Sequence, residues 1–268
     1  MMKPVFLSCI YSETNDSIIQ HFHSVYELIY IAEGTALFTI CGSCYEASEG
    51  SLLFISKFEE HNAVILKYPY RRFFIQLTPL QLERCVSDPQ LRSVFINRTG
   101  NFRHCFGLLS SAEEANALLQ SMINEFQNPG PFCQERQSCL LTLLLILCRR
   151  QCPEQFPSLS GSPPAAVSQV QKYIDLHFAE PLSLEDLAQR FFISPSHLSH
   201  EFRKWTGYSP KHYIVLSRLS NARRLLLTSD ASVGDIAVRC GFHDVNNFIR
   251  AFRQETGATP AVYRKQKK

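Results

Sequence analysis

Apolar and polar residues alternate along the segment from residue 22 to residue 77, which is the pattern of half-buried β-strands. Turn-forming residues at positions 41–44 interrupt the alternation. Several short strands separated by turns about every ten residues predict a β-sandwich or a small barrel. The predicted strands cover residues 26–31, 36–40, 51–55, 63–66 and 72–77.

Helical periodicity replaces this alternation after Pro79. Ser111, followed three residues later by Glu114, predicts a capping box at the start of a helix that residues 129–131 end. The next predicted helix, at residues 132–150, is apolar on most of its surface. Such a helix is buried in its own domain or against a second subunit, and we favour a homodimer interface.

Proline, glycine and serine are frequent at residues 153–165, and the chain is helical in pattern from residue 166 to Tyr263. This composition predicts an extended, semi-flexible linker. We therefore predict two domains: an N-terminal domain at residues 1–152, which includes the favoured dimer interface, and an all-α domain at residues 166–268.

The helical domain contains the same thirteen-residue pattern twice, fifty positions apart. The copies run from residue 198 to 210 and from residue 248 to 260, and each is followed three residues later by a tyrosine. Stacked-repeat proteins need three or more copies to bury a core. Two copies instead predict two helix-turn-helix units on one scaffold, which makes double-stranded DNA the expected partner.

Each copy has the layout of a recognition helix. Ser194 predicts the cap of the first helix, Leu198 and Phe202 point inward one turn apart, and the polar residues of the first turn face outward. Asp244 predicts the cap of the second helix, which carries two phenylalanines on its inner face.

The charged residues are divided unequally between the helical domain and the rest of the chain. Of the 27 lysines and arginines, 15 lie after residue 165, together with 9 of the 24 acidic residues. The helical domain therefore has a net charge of +6, and the rest of the chain, with 12 basic and 15 acidic residues, has −3. A basic module attached to a slightly acidic one is typical of a DNA-binding protein.

The sequence shows no run of about 18 apolar residues and no secretion signal, so we expect a cytoplasmic protein without a membrane partner. The ten cysteines do not form a disulfide framework, and most are expected to be buried hydrophobes. Cys41 and Cys44 have the spacing of a redox pair, although a hairpin turn is the preferred interpretation.

Further residues of the helical domain occur at fixed positions around the two copies. They are residues 183–188, 194–207, 209–210, 225–226, 235–237, 241–242 and 248–264, with Tyr213, Arg218 and Ala222. Together they resemble the DNA-binding domain of the AraC/XylS family of bacterial transcription regulators. About a hundred residues match in order and spacing, which is far more specific than a single motif.

The resemblance implies one rigid domain of seven helices, whose two recognition helices enter successive major-groove segments about 34 Å apart. Carried over residue by residue, it implies that the bases are read by Ser196, Ser199, His200, Val245, Asn246 and Arg250. Arginine suits guanine, asparagine suits adenine and valine suits the thymine methyl group, whereas serine and histidine predict little.

Phosphate contacts supply much of the affinity of such complexes. The basic residues expected to make these contacts are Arg203, Lys204, Lys211, Arg253, Arg264 and Lys265. Lys267 and Lys268 are expected to form a mobile basic tail.

Phe192 departs from the family pattern, which has glycine in this turn, as the second unit does at Gly241. Glycine tolerates positive φ and phenylalanine does so poorly. We therefore expect the first turn to be strained or rerouted.

In the N-terminal domain, the spacing of His21, His23, Glu27 and Gly34 matches the first metal motif of cupin barrels. Residues 50–61 resemble the second motif loosely and end in His61. This resemblance implies a cupin-like β-barrel with flanking helices.

Alternate residues of a strand share a face, so His21, His23, Glu27 and His61 could point together into the barrel. We favour a polar lining for a small effector, with Arg72 meeting an anionic or hydroxylated group, and expect no cofactor. The alternative is a metal site with three nitrogens and one oxygen.

The sequence thus predicts a transcription regulator controlled by a small-molecule effector, and in AraC/XylS regulators a carbohydrate is a reasonable class. The resemblance favours an activator, for which RNA polymerase is a further partner. The alternatives are a metal-binding cupin enzyme or sensor fused to a DNA-binding domain, and a regulator that needs no effector because side chains fill its barrel.

Overall fold

A computed structural model of the protein describes residues 5–96, 102–157 and 164–265. The chain divides into two compact units, residues 1–161 and 162–268, and the division falls within the predicted linker. No helix in the described ranges is long and apolar enough to cross a membrane.

The N-terminal unit is built on one antiparallel sheet of seven strands, in the order β1-β6-β3-β5-β7, with β2 paired to β6 and β4 paired to β3. The strands are β1 (Ser8–Glu13), β2 (Ile18–His21), β3 (Tyr26–Ile40), β4 (Ser43–Ser48), β5 (Ser51–Ile55), β6 (His61–Leu77) and β7 (Cys105–Gly107). Two pairs of predicted strands are therefore continuous: 26–31 joins 36–40 in β3, and 63–66 joins 72–77 in β6.

The sheet bends near the middle of the two long strands β3 and β6. The pairing register shifts between Ile31 and Ala36, and Gly34 lies in the bend with φ of 87°. A Cβ atom on Gly34 would collide with the carbonyl oxygens of Pro69 and Lys67 on β6. Glycine is therefore required for the two long strands to pack backbone against backbone at this point.

Alternation along β3 assigns its side chains to two cores. Leu28 and Tyr30 face the helices of the unit, whereas Ile29 and Ile31 face the concave interior of the sheet. Beyond the bend, Phe38 also faces the interior. The curved sheet thus has one face on the helices and an apolar interior of its own, as expected for a barrel-like domain.

In the described part of this unit, four α-helices accompany the sheet: α1 (Pro79–Cys85), α2 (Pro89–Ile96), α3 (Ala112–Gln127) and α4 (Cys133–Gln151). The predicted capping box at Ser111 is wrong, because Ser111 closes a 3₁₀ turn and its backbone is not extended. The Ser111 hydroxyl instead accepts a hydrogen bond from Gln151 Nε2 at 2.7 Å. A capping box does form at Thr78 and Gln81, at the start of α1.

Helix α4 buries most of its apolar surface inside its own unit. Leu141, Leu144, Leu145 and Cys148 are fully buried in the core shared with α3 and the sheet, while Leu143 is half exposed. The apolar composition of this helix is therefore explained without a second subunit, and the homodimer stays a prediction.

The first residues of the predicted linker belong to the N-terminal unit. Residues 153–155 form a 3₁₀ turn, and Phe156 is buried against Phe106 and beneath the guanidinium of Arg149. Burial of an aromatic ring outweighs the turn-forming composition of this segment. Residues 158–163 of the predicted linker, and Lys267 and Lys268, lie outside the described residues.

Seven helices form the described part of the C-terminal unit, as the family resemblance implies. They are α5 (Ala165–His177), α6 (Leu184–Arg190), α7 (Pro195–Thr206), α8 (Pro210–Thr228), α9 (Val233–Arg239), α10 (Val245–Thr256) and α11 (Pro260–Lys265). Hydroxyl or carboxylate caps begin α6, α7, α8, α9 and α10, and glycines with positive φ end α7 and α10.

Long helix α8 joins the two helix-turn-helix units through two arginines, the half-buried Arg218 and the buried Arg223. Arg218 donates to the carbonyl oxygens of Phe178 and Glu180, just beyond α5, at 2.8 Å each. Arg223 donates to the Tyr263 hydroxyl from Nε and Nη2, at 3.1 and 2.9 Å. These hydrogen bonds hold the first and last helices of the domain against its centre.

The turn of the second helix-turn-helix unit lies against the same segment, just after α5. A Cβ atom on Gly241 would lie 2.6 Å from the Ala179 carbonyl oxygen, so this position needs glycine for space as well as for its φ of 82°. Gly207 has a similar φ of 79°, but a Cβ atom there would meet no atom of the described residues within 4 Å beyond its own helix and chain neighbours.

We predict that Gly241→Ala lowers the free energy of unfolding by about 3 kcal/mol, because it adds steric overlap to the cost of positive φ. The matched variant Gly207→Ala keeps only the backbone cost, about 1 kcal/mol. Urea unfolding of both full-length variants measures the difference, and equal losses would show that the contact with Ala179 is not restrictive.

Candidate DNA-binding surface and barrel site

The two recognition helices, α7 and α10, are built alike. Both have 12 residues, and the classes of exposure along residues 194–210 and 244–260 are identical position by position. Leu198 and Phe202 in α7, and Phe248 and Phe252 in α10, are fully buried. The apolar anchors therefore fix the rotation of each helix about its axis and leave its polar face to solvent.

The predicted base-reading residues lie at the N-terminal ends of these helices. Ser196 and His200 are exposed, as are their equivalents Asn246 and Arg250. Ser199 is half buried, and its equivalent in the second unit is Ile249 rather than a predicted reader. Val245 is 36% exposed, and its equivalent is the helix-starting Pro195.

An open groove runs along the exposed face of each recognition helix. The groove on α7 has a volume of about 610 Å³, and Ser196, Ser199, His200, Arg203 and Lys204 line it. The groove on α10 has a volume of about 520 Å³, and Asn246, Arg250 and Arg253 line it. Each groove thus combines predicted base-reading residues with predicted phosphate-binding residues.

Hydrogen bonds orient some of these side chains before any DNA is bound. Arg250 Nη2 donates to Asn247 Oδ1 at 2.7 Å, one turn earlier on α10. Glu201 lies 3.7 Å from His200 and 4.0 Å from Lys204, and accepts from Trp205 Nε1 at 3.2 Å. Sequence reasoning missed these orienting roles, although the i, i+3 and i, i+4 spacings of the contacts made by Arg250, Lys204 and Trp205 signal them.

The predicted phosphate-binding residues divide into two groups. Arg203, Lys204, Lys211, Arg253 and Lys265 are exposed. Arg264 is half buried, and its Nη2 donates to the Ala231 carbonyl oxygen at 2.6 Å. The fold therefore uses Arg264 to hold the segment between α8 and α9.

In the N-terminal unit, the structure brings together the four side chains that match the cupin motif. Ring nitrogens of His21, His23 and His61 all lie within 4.8 Å of one another. Glu27 Oε2 lies 2.8 Å from His23 Nε2, and Glu27 Oε1 lies 3.7 Å from His61 Nε2. Gln76 donates to Glu27 Oε2 at 2.9 Å.

Burial and mutual electrostatics shift the pKa values of this cluster. Burial by itself raises the pKa of the Glu27 carboxyl, but interactions with His23, His61 and Gln76 outweigh it and lower the pKa to about 2. Burial, followed by the nearby His61, lowers the pKa of His21 to about 3. Burial likewise lowers the pKa of His61. Glu27 is therefore ionised, and His21 and His61 are neutral, at neutral pH.

Arg72 lies elsewhere on the interior face. Arg72 pairs with Ile31 across the sheet, whereas Gln76 pairs with Glu27, so the two sites are about 13 Å apart along β6. Arg72 Nε and Nη1 and the Tyr70 hydroxyl are buried and have no hydrogen-bond partner among the described residues. Burial raises the pKa of Tyr70 to about 12, although the charge of Arg72 opposes this.

Comparison with known proteins assigns both units. The family model described as AraC-like ligand binding domain matches residues 6–145, which are more than half of the chain. The model described as helix-turn-helix domain matches residues 187–266. The chain belongs to the AraC family of transcription regulators.

Individual relatives agree with this assignment. The HTH-type transcriptional activator RhaS of Escherichia coli K12 is 27% identical over 255 residues, which cover 90% of this chain and 85% of the relative. Among solved structures, ToxT of Vibrio cholerae O395 bound to a naphthalenyl butenoic acid has a TM-score of 0.67 at 14% identity, covering 97% of this chain and 98% of ToxT. ToxT bound to an unsaturated fatty acid has a TM-score of 0.66 at 13% identity, with coverages of 98% and 97%. The likeness to ToxT shows a shared fold.

Phe192 does not reroute the first turn of this AraC-family domain. Ile193 N donates to the Ala188 carbonyl at 3.0 Å, just as Phe242 N donates to the Ala237 carbonyl at 2.9 Å. Phe192 has φ of 55°, close to the 82° of Gly241. The expectation of a rerouted turn is thus wrong. The backbone of Phe192 does have the expected positive φ, and its side chain is 95% exposed.

We predict that Phe192→Gly raises the free energy of unfolding by about 1 kcal/mol, because it relieves a positive-φ cost that exceeds the added chain entropy. Phe192→Ala is the matched control: it also removes the exposed ring but keeps a Cβ atom at the same φ. Urea unfolding should show a gain for the glycine variant alone, and an equal gain in both would attribute the effect to the ring.

Proposed function

We propose that this AraC-family regulator binds operator DNA by placing α7 and α10 in successive major-groove segments on one face of the duplex. The observation that carries this proposal is the identical exposure of residues 194–210 and 244–260. Two helices with the same inner anchors and outer grooves present equivalent surfaces to DNA. One turn of B-DNA, about 34 Å, separates equivalent major-groove segments.

In this arrangement, base contacts come from the exposed tips of the two helices. Arg250, oriented by Asn247, donates two hydrogen bonds to a guanine, and Asn246 pairs with an adenine. Val245 contacts a thymine methyl group. Ser196, Ser199 and His200 read the other segment with less selectivity, because hydroxyl and imidazole groups accept several base edges.

Phosphate contacts surround these readers. Arg203 and Lys204 follow the readers on α7, Arg253 follows them on α10, and Lys211 is the second residue of α8. Lys265 at the end of α11 adds a further exposed charge, and Arg264 contributes a charge held in place by Ala231. These contacts give affinity without sequence preference and make binding sensitive to salt.

The interior of the N-terminal sheet supports control by a small-molecule effector. Arg72 and Tyr70 offer buried donors that lack partners among the described residues, beside an apolar cluster that includes Ile31 and Phe38. Buried guanidinium nitrogens without hydrogen-bond partners cost stability, so a ligand carboxylate or a hydroxyl-rich group such as that of a carbohydrate is the fitting partner. The effector acts on transcription if it binds two arrangements of the regulator with different affinity.

We further infer that the regulator is an activator, as the name of RhaS states for that relative, and therefore contacts RNA polymerase. We also propose that the regulator acts as a homodimer in the cytoplasm. Sedimentation of the full-length protein with and without operator DNA tests the dimer.

Selection of bound sequences from random duplex DNA by the full-length protein tests the DNA-binding mode. The expected result is a motif with two conserved segments about one helical turn apart. A single segment, or two segments on opposite faces of the duplex, would contradict the placement of both helices in the major groove.

For the selected operator, Arg250→Ala is expected to weaken binding by about 1–3 kcal/mol and to relax the preference at one base position. Arg253→Ala, three residues along the same helix, is expected to weaken binding to all sequences alike and to reduce the salt slope by about 1. Fluorescence anisotropy on a panel of single-base operator variants distinguishes the two effects. The assignment of Arg250 fails if its variant keeps the base preference of the parent.

The effector role of Arg72 predicts a stability effect that differs from that of a structural arginine. Arg72→Met is expected to leave the free energy of unfolding unchanged or to raise it by about 1 kcal/mol without effector, because it removes unpaired buried donors. Arg223→Met, which removes two hydrogen bonds to Tyr263, is expected to cost about 2 kcal/mol. Urea unfolding checks both values, and a loss of similar size in the two variants would assign Arg72 to the fold.

A further inference from the structure

Backbone carbonyl groups fix the tautomers of all three clustered histidines. His21 Nδ1 lies 2.9 Å from the Ile19 carbonyl oxygen, and His23 Nδ1 lies 3.0 Å from that of Val25. His61 Nδ1 lies 2.8 Å from the Glu59 carbonyl oxygen. A carbonyl oxygen only accepts hydrogen bonds, so each Nδ1 carries the hydrogen and each neutral ring presents an Nε2 lone pair.

These lone pairs meet each other and a carboxylate. His23 Nε2 lies 2.8 Å from Glu27 Oε2, and His61 Nε2 lies 3.7 Å from Glu27 Oε1. Glu27 is only 2% exposed, and its carboxylate also brings acceptor oxygens to the cluster. Four groups with lone pairs and negative charge therefore converge, which is unfavourable unless a positive charge lies among them.

A proton satisfies only part of this cluster. A hydrogen on His23 Nε2 supplies one donor, and the hydrogen bond to Glu27 uses it. The side chain of His61 is 1% exposed, and its Nε2 still has no hydrogen-bond partner among the described residues.

We propose that His21, His23, His61 and Glu27 together bind one divalent first-row transition-metal ion, through three Nε2 atoms and one carboxylate oxygen. Imidazole and carboxylate ligands of this kind suit zinc, iron, cobalt, nickel and manganese. Metal-bound histidines generally donate their second nitrogen to a carbonyl or carboxylate, as all three do here.

The distances in the cluster are close to those of a metal site. Bonds of about 2.1 Å from one ion to two imidazoles place their nitrogens at most about 4.2 Å apart. The nitrogens lie within 4.8 Å of one another, so the rings need to close by about half an ångström at most. Such an ion keeps room for a further ligand, because these metals take about four to six ligands.

The ligands also connect parts of the fold that are otherwise weakly joined. His21 ends the short strand β2, His23 lies between β2 and β3, and Glu27 and His61 belong to the two long strands. Strand β2 pairs with β6 only at Ile18 and His21, with an irregular register between them. Binding of the metal therefore attaches β2 to the sheet and stabilises the folded N-terminal unit.

Titration of chelator-treated, full-length protein with cobalt(II) tests this proposal. Cobalt bound by nitrogen and oxygen ligands gives visible d–d absorption, and elemental analysis after gel filtration counts the bound metal. The expected result is one cobalt per chain together with a higher melting temperature. Absence of bound cobalt would overturn the proposal.

The variants locate the site. His21→Asn changes a partly exposed side chain and is expected to weaken cobalt binding at least about 10-fold without unfolding the protein, as circular dichroism checks. The matched control is His104→Asn, which changes a buried histidine of the same unit that contacts Tyr45 and Glu59. It is expected to keep one cobalt per chain.

Two further outcomes would contradict the proposal. The first is unchanged cobalt affinity in a folded His21→Asn variant together with unchanged affinity in His23→Gln, which removes a second ligand. The second is a sulfur-to-cobalt charge-transfer band, because it would place the metal on thiolates such as those of the exposed Cys41 and Cys44.

Discussion

The burial of two apolar side chains one turn apart determines how each recognition helix faces DNA. In α7 these side chains are Leu198 and Phe202, and in α10 they are Phe248 and Phe252. Truncation of one buried phenylalanine costs about 3–5 kcal/mol, a large share of the stability of a small domain. Because the anchors cannot leave the core, the polar residues between them cannot turn away from solvent. The reading surface is therefore a consequence of packing, and its specificity can change without a change in the fold.

Much of this architecture could be predicted from sequence because it depends on local interactions. The caps at Ser194 and Asp244, the glycine at the end of α7 and the inward anchors all involve residues within one or two helical turns. The repeat made the second unit as predictable as the first. The alternation along β3 likewise identified the strands, although it could not show that they continue through the bend at Gly34.

Contacts between distant residues could not be predicted in this way. Ser111 fits a local capping pattern, but its hydroxyl accepts from Gln151, 40 residues later. Phe156 lies in a segment with linker composition, yet the core has room for its ring. In the histidine cluster, spacing suggested that the side chains share a face. The tautomers depend on carbonyl oxygens whose directions are properties of the folded backbone.

The two turns of the DNA-binding domain carry unequal constraints on their evolution. Gly241 is pressed against the Ala179 carbonyl, whereas the side chain of Phe192 projects into solvent from a backbone of almost the same shape. A mutation at position 192 changes only the local cost of a positive φ, which the rest of the domain can absorb. A mutation at position 241 displaces the second unit from α5. Substitutions can thus accumulate at position 192 in the first turn, whereas position 241 in the second turn accommodates only glycine.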